Sequence, residues 1–368
     1  MLGIYIYIGI YFLGTVTFWS DLKIGFGDDI SISHIVKIAI GISQPFLMYL
    51  YFINSEDRIG FSKLSLISLV FIFISATISL ISLHMFPGAS RSLAQGSASL
   101  NFMLHEMYQK IGIVSYTFYS ALAFLMPAIA FLIKNTSRNI YKTFYIIAFI
   151  ISAYSLIKAE HTTIMIFAFA LFLLGFITPK NRRAANTIIL FFIVLVFIFS
   201  NYLANLLHWI GNILSDDQNG KIALRLDDLA KAIDTKDFDP ETGQTYLAGE
   251  RISRSVYSWK SFIQNPLIGS GTSGGHAYWL DILGKFGLLG ILPWIIIFRQ
   301  FIKRNHLLLN KSVLFLFNMS FIGLLLFGLI KNLGGIELWM ALFFVLPGIY
   351  LVYNSSKSSK KTNKSYLQ

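Results

Sequence analysis

Residues 64–85 read LSLISLVFIFISATISLISLHM, with no Asp, Glu, Lys or Arg among them. Wound as a helix at 1.5 Å per residue, the stretch is roughly 33 Å long, enough to cross a hydrocarbon core about 30 Å thick. Comparable apolar runs recur in both directions, at approximately 2–18, 32–53, 111–133, 140–158, 162–178, 186–208, 276–298, 312–330 and 335–353. Each must be helical, because an open strand in lipid leaves backbone N–H and C=O groups without partners. The expected fold is therefore all-α: a polytopic membrane bundle of about ten transmembrane helices, with a large external loop between helices 7 and 8. The composition agrees, with 55% hydrophobic, 16% aromatic and only 13% charged residues over 368 positions. A mean hydropathy of +0.64 places the chain far from soluble domains.

The 30 basic and 18 acidic residues leave a net charge of +12, and their placement argues for topology and against nucleic-acid binding. One set of connections carries Arg58, Lys63, Lys134, Arg138, Lys142, Lys180, Arg182, Arg183, Arg299, Lys303, Arg304, Lys311 and the tail lysines 357, 360, 361 and 364. The alternate short connections carry only Lys23, Arg91, Lys110, Lys158 and Lys331. The positive-inside rule then predicts that both termini are cytoplasmic. The first residues lack a basic leader and a small-residue cleavage site, so they read as a first span. The chain contains no cysteine, which excludes disulfides, thiolate metal sites and a Cys nucleophile. The expected organisation is a single membrane domain over 1–353, an external catalytic loop at 211–275 within it, and a basic cytoplasmic tail, 354–368, held near anionic lipid by its lysines.

The loop has turn chemistry at Asp216-Asp217-Gln218-Asn219-Gly220 and at Asp239-Pro240-Glu241-Thr242-Gly243. Between these turns Ile222, Leu224, Leu226, Leu229, Ala230 and Ile233 predict a short amphipathic helix. A second helix is expected at 251–264, where Val256, Trp259, Phe262 and Ile263 fall on one side. Another outer connection, 87–110, ends in Leu104-His105-Glu106-Met107-Tyr108, which reads as an interfacial helix.

The densest informative group follows the second loop helix. Arg251 and Arg254 precede Asn265-Pro266-Leu267-Ile268-Gly269-Ser270-Gly271, then Gly274-Gly275-His276, Asp281, Lys285 and Gly287-Leu288-Leu289-Gly290. Pro266 should stop the helix and the glycines should let the chain turn before span eight. The free N–H groups at the start of that span would then form an anion site near His276. Gly269-Ser-Gly271-Thr-Ser-Gly274 fits G-x-G-x-x-G, but it follows no strand and precedes a membrane helix, so it does not read as a dinucleotide site.

The run Arg251-x14-Pro266-Leu-x-Gly269-x-Gly271, then His276-x3-Leu280-x2-Leu283-x3-Gly287-Leu-Leu-Gly290, resembles the signature of the bacterial O-antigen ligase and polysaccharide polymerase family, often called the Wzy and WaaL type. Gly275-His276 with Asp281 looks more like the capsule-polymerase branch. The motif covers about forty residues, and the rest of the chain resembles the family in hydropathy and in its late outer loop.

The resemblance implies a metal-independent, inverting glycosyl transfer without cofactor at the outer face of a bacterial cytoplasmic membrane. The donor is a saccharide on undecaprenyl diphosphate and the acceptor a hydroxyl of a lipid-linked repeat unit, with a flippase and a chain-length regulator as pathway partners. The residue chemistry fits on its own terms. An arginine fork stabilises a diphosphate leaving group, and a neutral histidine takes a proton from an attacking hydroxyl. His276 is the expected base and Arg251 the main diphosphate contact, with Arg254 or Arg225 as a second cation. The sequence departs from the family where spans five and six meet: Lys158-Ala-Glu160-His161 stands in place of a Ser-Arg pair, so Lys158 would supply charge without a fork.

Plainer readings accompany each residue. His276 can cap span eight, and Arg251 can pair with Glu250 or bind lipid headgroups. Asp281 and Lys285, four apart, read as a structural ion pair. His34, Lys37, Gly41 and Gln44 share a helix face expected to point into the bundle, where Lys37 either lines a diphosphate groove or snorkels. At the level of function, a glycan ligase and a lipid-linked oligosaccharide transporter remain alternatives. No internal repeat or matched pair of broken spans speaks for the transporter.

Overall fold

The structure, a computed structural model, describes residues 32–86, 89–90, 107, 110–159, 161–177, 187, 247–275, 277–333 and 335–351. Every regular element among them is helical: α1 (Ile32–Asn54), α2 (Arg58–Met85), α3 (Tyr116–Asn135), α4 (Asn139–Lys158), α5 (Thr162–Phe176), α6 (Leu247–Gln264), α7 (Tyr278–Leu308), α8 (Lys311–Ile330) and α9 (Ile336–Met340). After α9 a π-helical turn, Ala341–Val345, continues the last helix as far as Leu351. Among the described residues, five helices are long and apolar enough to cross a membrane: α2, α3, α4, α7 and residues 313–330 of α8. Apart from the single residues Met107 and Thr187, the expected spans at 2–18 and 186–208, the loop helix at 222–233, the Leu104–Tyr108 segment and the basic tail lie outside the described residues.

In α2 and α4 most of the serines face inward, and many of the branched aliphatic residues face outward. α2 buries Ser62, Ser65, Ala76, Ser79 and Ser82 while exposing Ile67, Val70, Phe71, Ile74, Ile78 and Ile81. α4 likewise buries Ala148, Ser152 and Ser155 and exposes Ile140, Phe144, Ile147 and Ile150. Small residues let helices approach closely and bond across the contact, while branched aliphatic side chains face the hydrocarbon. In water the two sides would be exchanged. α2 begins with Asp57, whose Oδ1 accepts from the Gly60 amide at 2.8 Å, a side-chain cap outside the apolar stretch.

The helices form two compact units. In the larger, α3 is the central rod: residues 118–132 are buried on every side. Gly175 of α5 fits against Pro127 and Ala130 of α3, where a Cβ would collide with main chain. The Ser155 hydroxyl of α4 donates to the Ala76 carbonyl of α2 at 3.2 Å. In the π turn, the Phe344 carbonyl accepts from the Ser65 hydroxyl at 3.3 Å, a bond that ties the turn to α2. The other unit contains α6, α7 and residues 324–336.

α7 is not one helix. Gly287, at φ 61° and ψ −154°, divides it into limbs 278–286 and 288–308. The limbs fold back on each other. The ring of Trp279 lies 5.8 Å from that of Trp294, and a Cβ on Gly290 would sit 3.2 Å from Ile282 Cγ2.

Candidate functional site

α6 starts at Leu247, four residues ahead of the expected start, and gives way to a turn at Asn265-Pro266, since a residue before proline is forced out of the helical region. The Gly269 amide donates to the Asn265 carbonyl at 2.8 Å to close that turn. The turn then clamps the break in α7. Amides of Ser270 and Gly271 donate to the Gly284 and Lys285 carbonyls at 2.9 and 3.2 Å, and amides of Leu288 and Leu289 donate to the Pro266 and Leu267 carbonyls at 2.8 and 3.1 Å. A broken helix in an apolar setting needs its freed backbone groups satisfied, and these four bonds do so.

The glycines make that approach possible. Gly269, Gly271 and Gly275 have φ between 73° and 76°, and Gly287 occupies a region essentially closed to side-chain-bearing residues. A Cβ on Gly287 would meet the Leu267 carbonyl carbon at 2.5 Å, and one on Gly284 would meet the Ser258 and Thr272 carbonyl oxygens at 2.9 Å. The Pro266–Gly290 motif is thus a single folded object.

A polar seam joins α6 to the strand of chain entering α7. The Ser258 hydroxyl, fully buried, donates to Asp281 Oδ1 at 2.7 Å and accepts from the Gly274 amide at 2.8 Å. The Gly275 amide also donates to Asp281 Oδ1, at 3.1 Å. Farther along, Ser261 and Thr272 hydroxyls are 2.9 Å apart and Ser270 and Thr272 3.1 Å. Asp281 therefore fastens Gly275 and α6 together, while Lys285 acts on it only as a neighbouring charge; the ion-pair expectation for these two gives way to this hydrogen-bonded role.

Arg251 and Arg254 lie one turn apart on α6. The main chain of Arg254 abuts Gly274, where any Cβ would strike the Arg254 carbonyl group. The structure thus brings the Arg254 position to the segment that leads into position 276. His276 itself and Arg225 lie outside the described residues. The expected free amides at the head of α7 are partly used, because the Tyr278 amide donates to the Lys331 carbonyl at 3.2 Å. Lys37 lies in α1; on the face it shares, Gln44 is exposed and not turned inward.

The larger unit holds a separate polar cluster that sequence reading passed over. His161, at the N-terminus of α5, is buried, with Nε2 3.1 Å from Ser90 Oγ. Its ring packs 5.0 Å from Tyr116 and 5.5 Å from Tyr119. The Tyr119 and Ser79 hydroxyls are 2.8 Å apart. At the first turn of α3, Thr117 donates to Glu337 Oε2 at 3.0 Å, where the helix dipole favours a carboxylate. Lys158 ends α4 and lies over the Tyr154 ring at 5.8 Å. The signal for this cluster was the short run Lys158 to His161, noted for its charge and not for its histidine. For the α6 seam the signal was Ser258 and Ser261, three apart, followed by hydroxyl residues among the glycines.

No protein-family model, curated protein or solved structure matches this chain. The functional reading rests on the residues and their arrangement.

Proposed function

We propose that this protein is a membrane glycosyltransferase that polymerises undecaprenyl-diphosphate-linked oligosaccharide repeat units into a surface polysaccharide at the outer face of the bacterial cytoplasmic membrane. The observation that carries the reading is the α6–α7 module: Arg251 and Arg254 on one helix, with Arg254 held against Gly274, two residues before His276. A diphosphate leaving group calls for cations and an attacking sugar hydroxyl for a base, and the sequence sets Arg251 and Arg254 before the glycine turn and His276 after it.

In the proposed reaction the acceptor oxygen attacks the donor's anomeric carbon from the face opposite the leaving group, and its proton passes to His276. The bond from that carbon to the diphosphate oxygen breaks, and the electron pair leaves with undecaprenyl diphosphate, whose negative charge Arg251 and Arg254 stabilise. Arg225 and Lys158 are further cationic contacts in this reading, and Lys37 a contact for the lipid-linked diphosphate. Both termini are assigned to the cytoplasm on the charge distribution alone.

The test is a reaction of the purified protein in detergent, where transport has no meaning, with lipid-linked repeat units as sole substrate. A ladder of polymer that disappears in His276→Ala and weakens in Arg251→Ala supports the proposal. Full-length polymer from His276→Ala overturns the assigned base. Absence of polymer together with transfer to a second, non-repeat acceptor would favour a ligase, and no transfer to any acceptor would favour a carrier.

A further inference from the structure

α6 has three faces, and only one is explained by the seam. At about 100° per residue, Arg254, Ser258 and Ser261 fall in one arc, Lys260 and Gln264 in a second, and Val256, Trp259 and Ile263 in a third. The first packs on α7. The other two are exposed, and they differ completely in chemistry. Val256, Trp259 and Ile263 are 41, 47 and 57% exposed, so this apolar arc is turned away from the protein.

This apolar arc does not end with the helix. Leu267 and Ile268 of the turn are 68 and 57% exposed, and the Leu267 carbonyl is bonded to the Leu289 amide of α7. Leu288, Leu292 and Ile295 of α7 are themselves exposed, on a helix apolar enough to cross a membrane. The outward apolar surface of α6 is therefore continuous with a lipid-facing surface. α6 itself carries Glu250, Arg251, Arg254 and Lys260 and is not a span by composition. A helix with a tryptophan on the apolar side and basic residues elsewhere suits the boundary between headgroups and acyl chains.

We propose that α6 lies in the boundary layer of the same bilayer that α7 crosses, with Val256, Trp259 and Ile263 in lipid and Lys260 and Gln264 in water. The polar seam is then held at the membrane surface by a helix that is itself seated in lipid. This assignment stands without the glycosyltransferase reading.

The chain has no cysteine, so single-cysteine probes can be placed in the full protein without other changes. Trp259→Cys, Ile263→Cys, Lys260→Cys and Gln264→Cys would each carry an environment-sensitive fluorophore in nanodiscs of phosphatidylethanolamine and phosphatidylglycerol. Nitroxide lipids should quench probes at 259 and 263 several-fold more than those at 260 and 264, and headgroup-proximal nitroxides should act more strongly than deep ones. Aqueous iodide should show the reverse order. Equal iodide quenching at all four positions would place α6 in solvent and overturn the proposal. So would protection of 259 and 263 from both quenchers, which would mean that protein covers that face.

Discussion

The ring of Trp279 packs edge-on against that of Phe298, 5.7 Å away. A continuous helix would separate the two residues by roughly 28 Å. The fold-back of α7 therefore brings the head of the helix to the flank of its own second limb, and Trp279 Nε1 also donates to the Leu325 carbonyl of α8 at 2.9 Å. The limb 288–308 is alone roughly 30 Å long. Asp281 and Lys285 belong to the short limb. Trp279→Ala should lower stability by about 3–5 kcal/mol, the range for a buried tryptophan. Thermal unfolding in detergent, with Leu292→Ala as an exposed control, measures this.

Gly287→Ala should be destabilising by about 1–3 kcal/mol from backbone strain alone, with the collision at Leu267 adding to it. The variant should also increase proteolytic cleavage within 265–271, because the four clamping bonds form only when the limbs meet at this angle. A thermal midpoint and fragment pattern equal to those of the native protein would contradict the described break.

Asp281→Ala removes the acceptor shared by Ser258 and Gly275 and should cost about 1–3 kcal/mol, whereas Asp281→Asn keeps an acceptor oxygen and should cost less. A double-mutant cycle of Ser258→Ala with Asp281→Ala should show a coupling of about 0.5–3 kcal/mol. Additivity within about 0.3 kcal/mol would mean that the two groups do not share a bond in solution.

If Arg254 contacts the diphosphate, Arg254→Ala should reduce kcat/KM for the lipid-linked donor by about ten- to a hundredfold, the loss of one charge-assisted contact. Arg254→Lys should restore only part of it, since a lysine has no planar fork. Steady-state kinetics on folded, monodisperse protein is the measurement, and an unchanged kcat/KM would remove Arg254 from the binding set.

In the larger unit, Tyr119→Phe should cost about 1 kcal/mol by deleting the bond with Ser79. His161→Ala should cost more, since it strips a partner from Ser90 and ring contacts from Tyr116 and Tyr119. Chemical or thermal unfolding checks both. A smaller loss in His161→Ala than in Tyr119→Phe would mean that the histidine does not organise this cluster.

Helix positions at 32–54, 139–158, 162–176 and 311–330 were legible because a predominantly apolar run with few charges has one stable form in lipid. The fold-back of α7 was not legible. Residues 276–298 read as one run, and nothing in hydropathy distinguishes a glycine that merely fills a helix from Gly287, which reverses it. The side on which α6 packs was not legible for a related reason: apolar periodicity marks the buried face only where water is the alternative. At a bilayer the small polar residues, Ser258 and Ser261 here, mark the contact instead. The arginines on α6 and the glycine turn were recognisable from spacing; their attachment through Asp281 required the fold.

The pairings that build the α6–α7 module, such as Ser258 with Asp281, Arg254 with Gly274 and Leu267 with Leu289, all join residues close together along the chain. Loops this short close with little entropic cost and fast. The module can thus take shape as soon as its own stretch of chain has left the ribosome and reached the membrane, before residues 324–336 of the same unit exist to support it. Its geometry is inherited by that later segment, whose Leu325 and Lys331 carbonyls dock onto a finished part.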